Sequence, residues 1–119
     1  MPRRHPELPA VEGPEALDQA IATSPAVLLY FSGPDCAVCD ALRPRVAELM
    51  VRRFPHMRVI SVDCATWPAL AARHQVFAVP AVLGFFDGRE WVRKGRGFAL
   101  AELEAALARP YDLLLGNTS

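Results

Sequence analysis

An unbroken run of six apolar residues at positions 26–31 narrows the possible folds of this chain more than any other feature. A run of this length between turn signals is typical of a β-strand buried on both faces, and helices cover such a strand from both sides of its sheet. Amphipathic helix patterns stand on either side of the run, over residues 14–21 and residues 36–54. The pattern therefore predicts an α/β fold with helices on both faces of a central sheet.

The rest of the chain alternates between strand and helix patterns. Further strands are predicted at residues 58–63, 81–86 and 90–94, and further helices at residues 67–74 and 99–108. Asp87-Gly88 is a strong hairpin signal, and Pro110 predicts the end of the last helix. Strands separated by helices are expected to be parallel neighbours, and the hairpin adds an antiparallel pair, so the central β-sheet should be mixed.

Length and composition indicate one domain. A chain of 119 residues, of which 52% are hydrophobic, can fill a core without metal or disulfide support. We expect an irregular N-terminal arm at residues 1–13, a domain at residues 14–110 and a C-terminal tail at residues 111–119. The sequence leaves the role of the tail open.

Charge and cysteine content restrict the partners and the compartment. Thirteen basic and thirteen acidic residues cancel, which gives no reason to propose nucleic acid or an anionic membrane as partner. The basic N-terminus has no apolar stretch behind it, so we expect no secretory signal, and no window is long enough for a membrane span. Because three cysteines are an odd number, a disulfide framework is not expected, and the predicted location is a reducing cytoplasm.

Cys36 and Cys39 are the residues that carry chemistry, at the predicted start of the helix that follows the buried strand. Their spacing puts both side chains on one helix face, close enough for a disulfide to form and break. The unpaired backbone N–H groups and the dipole of a helix N-terminus favour a thiolate there. We expect Cys36, at the exposed tip, to be the nucleophile and Cys39, one turn inward, to be the resolving thiol.

Two flanking carboxylates oppose this stabilisation of the Cys36 thiolate. Asp35 and Asp40 repel a neighbouring anion, and Asp35 is also a candidate helix cap that would accept a backbone N–H on which the thiolate could otherwise draw. The pKa of Cys36 is therefore expected to be lowered moderately rather than strongly.

Unreactive helix cysteines and half of a zinc site are the alternative interpretations of the pair. A structural zinc site takes four ligands, and the sequence has no second Cys-x-x-Cys. Cys64 with His5, His56 or His74 would complete such a site only by coincidence, and a four-cysteine iron–sulfur cluster would need a second chain. We expect no metal, and we interpret Cys64 as a small, half-buried residue.

Together these features resemble the thioredoxin family over about residues 14–108. The resemblance consists of the strand at 27–31, the Cys36/Cys39 pair, Pro44, the strand at 59–63, Val79-Pro80 and the Asp87-Gly88 hairpin. It implies a thioredoxin-like three-layer sandwich, with residues 14–110 as the thioredoxin-like domain. In that family the proline that matches Pro80 has a cis peptide bond and faces the reactive cysteine, and the residue that matches Val79 offers its backbone to an extended substrate peptide. The resemblance implies these roles for Pro80 and Val79. A cis-proline offers a fixed, donor-free edge for such a peptide.

The chain also departs from the family pattern. Where members typically read Trp-Cys-Gly-Pro-Cys, residues 35–39 read Asp-Cys-Ala-Val-Cys. Tyr30 and Val59 stand where the family has a buried acid and its neighbouring lysine. The redox potential and the choice of partner therefore do not transfer from the family to this chain.

The sequence predicts a protein thiol–disulfide oxidoreductase, with Cys36 and Cys39 as catalytic residues and Val79 and Pro80 as substrate-binding residues. Its partners would be protein disulfides or dithiols and an external reductase that recycles the pair. No bound cofactor is implied, because the electrons reside in the two sulfurs. The alternative is a thioredoxin-fold binding, chaperone or assembly protein with little redox turnover.

Overall fold

The computed structural model describes residues 8–116, which form a four-stranded sheet between two pairs of helices. In chain order the elements are α1 (Pro14–Thr23), β1 (Ala26–Ser32), α2 (Ala37–Arg53), β2 (Arg58–Asp63), α3 (Pro68–Arg73), β3 (Ala81–Phe86), β4 (Arg89–Lys94) and α4 (Leu100–Leu115). These bounds confirm the predicted α/β order and the three layers, and most ends agree to within one or two residues.

Strand β1 lies in the interior of the sheet, whose order is β2-β1-β3-β4. All seven of its residues are buried, as its unbroken apolar sequence predicts. Successive side chains of a strand point to opposite faces, and β1 supplies both halves of the core in this way. Ala26, Leu28 and Tyr30 pack with α2 and α4, whereas Val27, Leu29 and Phe31 pack with α1 and α3.

The direction of β3 differs from the sequence expectation. Strands β1 and β2 are parallel, as predicted, but β3 runs antiparallel to β1, with Ala81 opposite Phe31. A parallel crossover needs a helix that returns along the whole sheet, and α3 spans only about 9 Å against about 20 Å for a six-residue strand. The chain therefore re-enters the sheet at the end where β1 and β2 finish, which places Val79 and Pro80 beside the loop that carries Cys36.

Helix α4 does not end at Pro110 as predicted but continues to Leu115. Proline lacks the N–H that a helix interior uses, so packing must stabilise the last turn. Pro110 is buried, and the ring of Tyr111 meets Phe54 edge-on at 5.1 Å between centroids. The Tyr111 hydroxyl also accepts a hydrogen bond from the backbone N–H of His56 at 3.2 Å. Residues 111–115 of the predicted tail are therefore helical.

Part of the predicted N-terminal arm covers the outer edge of β2. Ala10 forms a parallel bridge with Ser61, whose backbone exchanges hydrogen bonds with Pro9 and Val11 at 2.7 and 2.8 Å. Such pairing protects the free edge of a sheet. Residues 1–7 and 117–119 of the predicted arm and tail lie outside the described residues. Within residues 8–116 no helix is long and apolar enough to cross a membrane.

Candidate active site

The chain turns sharply between the end of β1 and the start of α2. Asp35 has a φ of 54°, in the left-handed region, and Cys36 follows as the N-cap of α2. The Sγ atom of Cys36 accepts a hydrogen bond from the backbone N–H of Cys39 at 3.1 Å. The sequence expectation that Asp35 caps the helix is therefore wrong, because Cys36 occupies the cap and its own sulfur receives the N–H.

Cys36 and Cys39 form a disulfide whose Cα atoms are 5.2 Å apart. Cys36 is half-buried, whereas the exposed fraction of Cys39 is 0%. The two sulfurs thus differ in access to solvent although one helical turn separates them. A partner molecule can reach the pair only from the side of Cys36.

Tyr30 lies directly beneath the inner cysteine. Its hydroxyl, which is fully buried, donates a hydrogen bond of 2.6 Å to the backbone carbonyl of Cys39. Burial raises the pKa of Tyr30 to about 12, with the positive charge of Arg43 acting in the opposite direction and the negative charge of Asp40 raising it further. Tyr30 is therefore a neutral hydrogen-bond donor near Cys39, not a base.

Arg43 completes this side of the site, and sequence reasoning did not identify it. Its Cζ atom lies 5.3 Å from the centroid of the Tyr30 ring, and its Nη2 donates to the Oγ of Ser32 at 2.9 Å. Its spacing from Cys39 could have indicated it, because residues four apart share one face of a helix and Arg43 follows Cys39 by four. Arg43 thereby joins the start of α2 to the end of β1.

Val79 and Pro80 lie at the same end of the sheet as the disulfide. The peptide bond between them is cis, Pro80 is buried and Val79 is half-buried. A Cβ placed on Gly33, in the loop before Cys36, would stand 3.6 Å from a methyl of Val79, so the two segments are in van der Waals reach. The structure thus places Val79 beside the loop that leads to the predicted nucleophile.

Hollows lined by described residues open at this end of the molecule. One of about 240 Å³ is lined by Val38, Ala41, Leu42, Arg45, Pro80, Gly97 and Phe98. A second of about 340 Å³ is lined by Gly33, Pro34, Cys64, Ala65 and residues 76–79. Val38 and Phe77 are exposed apolar side chains there, at 54% and 84%. A cleft with an apolar lining and a few polar groups is the usual form of a binding site.

Cys64 is a half-buried free thiol on the rim of the second hollow. Burial raises the pKa of Cys64, and the negative charge of Asp63 acts in the same direction. Across residues 8–116, no three His, Cys, Asp or Glu side chains come together as metal ligands. His5, one of the candidate zinc ligands, lies outside the described residues.

Comparison with known proteins gives one consistent result. Residues 9–109 match the model of the family described as Thioredoxin. A thioredoxin-like protein of Bacillus subtilis, YdfQ, is 34% identical over 89 residues, which are 75% of this chain and 79% of the relative. Thioredoxin Asp f 28 of Aspergillus fumigatus is 28% identical over 100 residues, which are 84% of this chain and 91% of the relative.

Solved structures show the same fold. A mutant thioredoxin from Halobacterium salinarum superimposes with a TM-score of 0.74 at 24% identity, covering 100% of this chain and 97% of that one. Malassezia sympodialis thioredoxin gives a TM-score of 0.78 at 17% identity, covering 93% and 95%. At such identities the likeness concerns the fold alone.

Proposed function

Since the chain belongs to the thioredoxin family, we propose that it is a protein thiol–disulfide oxidoreductase in which Cys36 attacks and Cys39 resolves. The observation that carries this proposal is the disulfide at the start of α2, which has one accessible and one buried sulfur. A pair that forms a disulfide inside the fold can store two electrons when reduced and accept two when oxidised.

The assignment of Cys36 as nucleophile rests on access and on charge stabilisation. Its Sγ already accepts the N–H of Cys39 at the N-terminus of α2, where unpaired N–H donors and the helix dipole favour an anion. Cys39 is enclosed, so an external disulfide reaches Cys36 first. The same N–H that contacts the sulfur in the disulfide remains in place to stabilise a Cys36 thiolate.

The reaction proceeds in two balanced exchanges. The Cys36 thiolate attacks one sulfur of a substrate disulfide, the substrate S–S bond breaks, and the other substrate sulfur leaves as a thiolate that takes a proton from water. Cys39 then loses its proton to water and attacks Cys36, which breaks the mixed disulfide and releases the second substrate sulfur. The substrate gains two electrons and the Cys36–Cys39 disulfide forms. In the reverse direction, a dithiol substrate reduces that disulfide.

Val79 and Pro80 are proposed to bind the substrate beside the reactive sulfur. This role is supported by the contact distance between the Gly33 loop and Val79 and by the position of Pro80 in a hollow with Val38. An extended peptide laid across the backbone of Val79 would bring its disulfide to the half-buried Cys36.

Members of the thioredoxin family act on protein disulfides and are recycled by a reductase. For this chain we propose protein disulfide or dithiol substrates and an external reductase, without assigning a particular partner. The proposed location is a reducing cytoplasm, which the free thiol of Cys64 supports, because secreted proteins usually pair their cysteines.

Reduction of insulin by the protein with dithiothreitol as electron source tests the proposal. We expect the wild type to accelerate precipitation of the insulin chains, Cys36→Ser to abolish the acceleration, and Cys64→Ser to leave it unchanged. A wild type that does not reduce insulin, together with a Cys36→Ser/Cys39→Ser protein that still captures peptides, would establish the alternative of a binding or assembly protein.

A further inference from the structure

Arg43 makes two directed contacts that hold its guanidinium in one place. The Nη2 donates to Ser32 at the end of β1, and the group lies over the ring of Tyr30. A guanidinium that is already held by a hydrogen bond and an aromatic ring loses less conformational entropy during a reaction than a solvated one does. Arg43 is itself only partly exposed, so solvent screens its charge less than that of a surface arginine.

The fixed charge is connected to the inner cysteine through Tyr30. Side chains of a helix lean toward its N-terminus, so Arg43 extends back toward the turn that holds Cys39, four residues earlier. Tyr30 connects the two, because its ring lies under the guanidinium and its hydroxyl donates to the carbonyl of Cys39. Asp40, exposed and next to Cys39 in sequence, has the opposite charge and would disfavour a thiolate there.

We propose that Arg43 is a positioning residue that places a permanent positive charge behind Cys39 and so favours the Cys39 thiolate in the resolving step. The inference rests on the proposed exchange reaction and deepens it. In that step the proton of Cys39 passes to water, the Cys39 sulfur bonds to Cys36, and the electron pair of the broken mixed disulfide leaves with the substrate sulfur. Arg43 exchanges no proton or electron, and it acts only on the charged form of Cys39.

The equilibrium of the pair with glutathione, measured from pH 7 to pH 9.5, is the first test. We expect Arg43→Met to lower the equilibrium constant for reduction by up to roughly fivefold at the alkaline end and to leave it nearly unchanged at pH 7, because the cation acts only on the ionised form of Cys39. Arg43→Lys keeps the charge and should restore most of the wild-type value. Arg52→Met, which removes an exposed arginine at the other end of α2, is the matched control and should leave the constant unchanged.

The pH dependence of the resolving step is the second test. In a Cys64→Ser background, a chromogenic aromatic disulfide releases one coloured thiolate when Cys36 attacks it and a second when Cys39 resolves the adduct. The midpoint of the second phase should move up by roughly half to one pH unit in Arg43→Met. Ser32→Ala, which removes the acceptor that orients the guanidinium, should move it in the same direction by a smaller amount, and this variant keeps the test available if Arg43→Met does not fold.

The proposal is overturned if Arg43→Met and Ser32→Ala match Arg52→Met in both the equilibrium and the second-phase profile while only their thermal stability falls. That result would make Arg43 a structural tie between β1 and α2. The glutathione equilibrium needs only the Cys36–Cys39 disulfide, so it can be measured even in a protein that reduces no substrate. Failure of this inference is therefore distinguishable from failure of the proposed function.

Discussion

Tyr30 and His74 are polar aromatic side chains that pack against opposite faces of the sheet, and they differ in their hydrogen bonding. On the α2 and α4 face, the buried hydroxyl of Tyr30 donates to the carbonyl of Cys39 at 2.6 Å. On the α1 and α3 side, the imidazole of His74 contacts the rings of Phe31 and Phe85, and its Nε2 atom has no hydrogen-bond partner among the residues described.

The Tyr30 hydroxyl connects two structural elements, whereas the His74 ring mainly fills space between apolar rings. A buried donor with a defined acceptor fixes the relative position of a strand and a helix, whereas an unpartnered nitrogen costs free energy and favours the neutral ring. Tyr30 links the central strand to the turn that holds Cys39, whereas His74 caps the C-terminus of α3 on the opposite face of the sheet. The disulfide at the start of α2 therefore lies on the face whose buried polar group is fully used in fixing the structure.

Replacing the inner cysteine should have the largest effect. Cys39→Ser retains the nucleophile but not the resolving thiol, so we expect catalytic turnover to fall by at least about 100-fold while a mixed disulfide with substrate accumulates at Cys36. Non-reducing electrophoresis and mass spectrometry of the adduct measure this. Turnover near the wild-type rate would mean that the reaction does not need the Cys39 thiol.

Removing the Tyr30 hydroxyl should lower stability with little change in turnover. Tyr30→Phe loses a buried hydrogen bond and leaves the carbonyl of Cys39 with one partner fewer, which we expect to cost about 1–2 kcal/mol of unfolding free energy. Urea unfolding of the oxidised protein measures the loss. A drop in turnover of more than about tenfold without further loss of stability would instead give the hydroxyl a direct part in the chemistry.

A methyl group added at Gly84 should disturb the packing of α4 on the same face. Its Cβ would stand 2.9 Å from Leu107 Cδ2 and 3.3 Å from Val92 Cβ, and both side chains are buried. We expect Gly84→Ala to destabilise the fold by about 1 kcal/mol, because overpacking outweighs the lower entropy of the unfolded chain. Gly95→Ala, where no atom lies within 4 Å, is the matched control and should change stability by less than about 0.5 kcal/mol.

The smallest effect concerns His74 and acid. Burial lowers the pKa of His74 below its ordinary 6.5; Arg73 and Arg93 act in the same direction, and Asp18 and Glu90 act against them. A proton therefore binds the unfolded chain first, and stability is lost as the pH falls through 6.5.

Substituting the imidazole isolates this contribution. His74→Phe should lose less stability than the wild type between pH 7.5 and pH 5, by well under about 1 kcal/mol after solvent screening. Thermal unfolding of both proteins across the pH range measures the difference. Identical pH profiles would mean that the ring is as free to protonate in the fold as in the unfolded chain.

The sequence predicted those features that depend on local pattern. The burial of β1 follows from its apolar run, the tight hairpin from Asp87-Gly88, where both residues have positive φ, and the disulfide-forming pair from the spacing of Cys36 and Cys39. Each of these is set within a few neighbouring residues, so the one-dimensional pattern contains enough information.

Features set by distant contacts were not predictable in the same way. The antiparallel direction of β3 depends on the length of α3 relative to the sheet, and the extension of α4 past Pro110 depends on packing between Tyr111 and Phe54. The capping of α2 by Cys36 is local but was also missed, because it depends on a left-handed backbone angle at Asp35 that the residue pattern does not dictate. The contacts of Arg43 join two elements, and its spacing from Cys39 was only an indirect signal.

Alkylation of the reduced protein tests most directly whether the outer sulfur attacks and the inner one resolves. Iodoacetamide is added at neutral pH for increasing times, and mass spectrometry of the digested protein gives the modified fraction of each cysteine. The account predicts that Cys36 is modified first and that Cys39 stays protected until the protein is unfolded. Modification of Cys39 at the rate of Cys36, or of Cys64 before either, would contradict it.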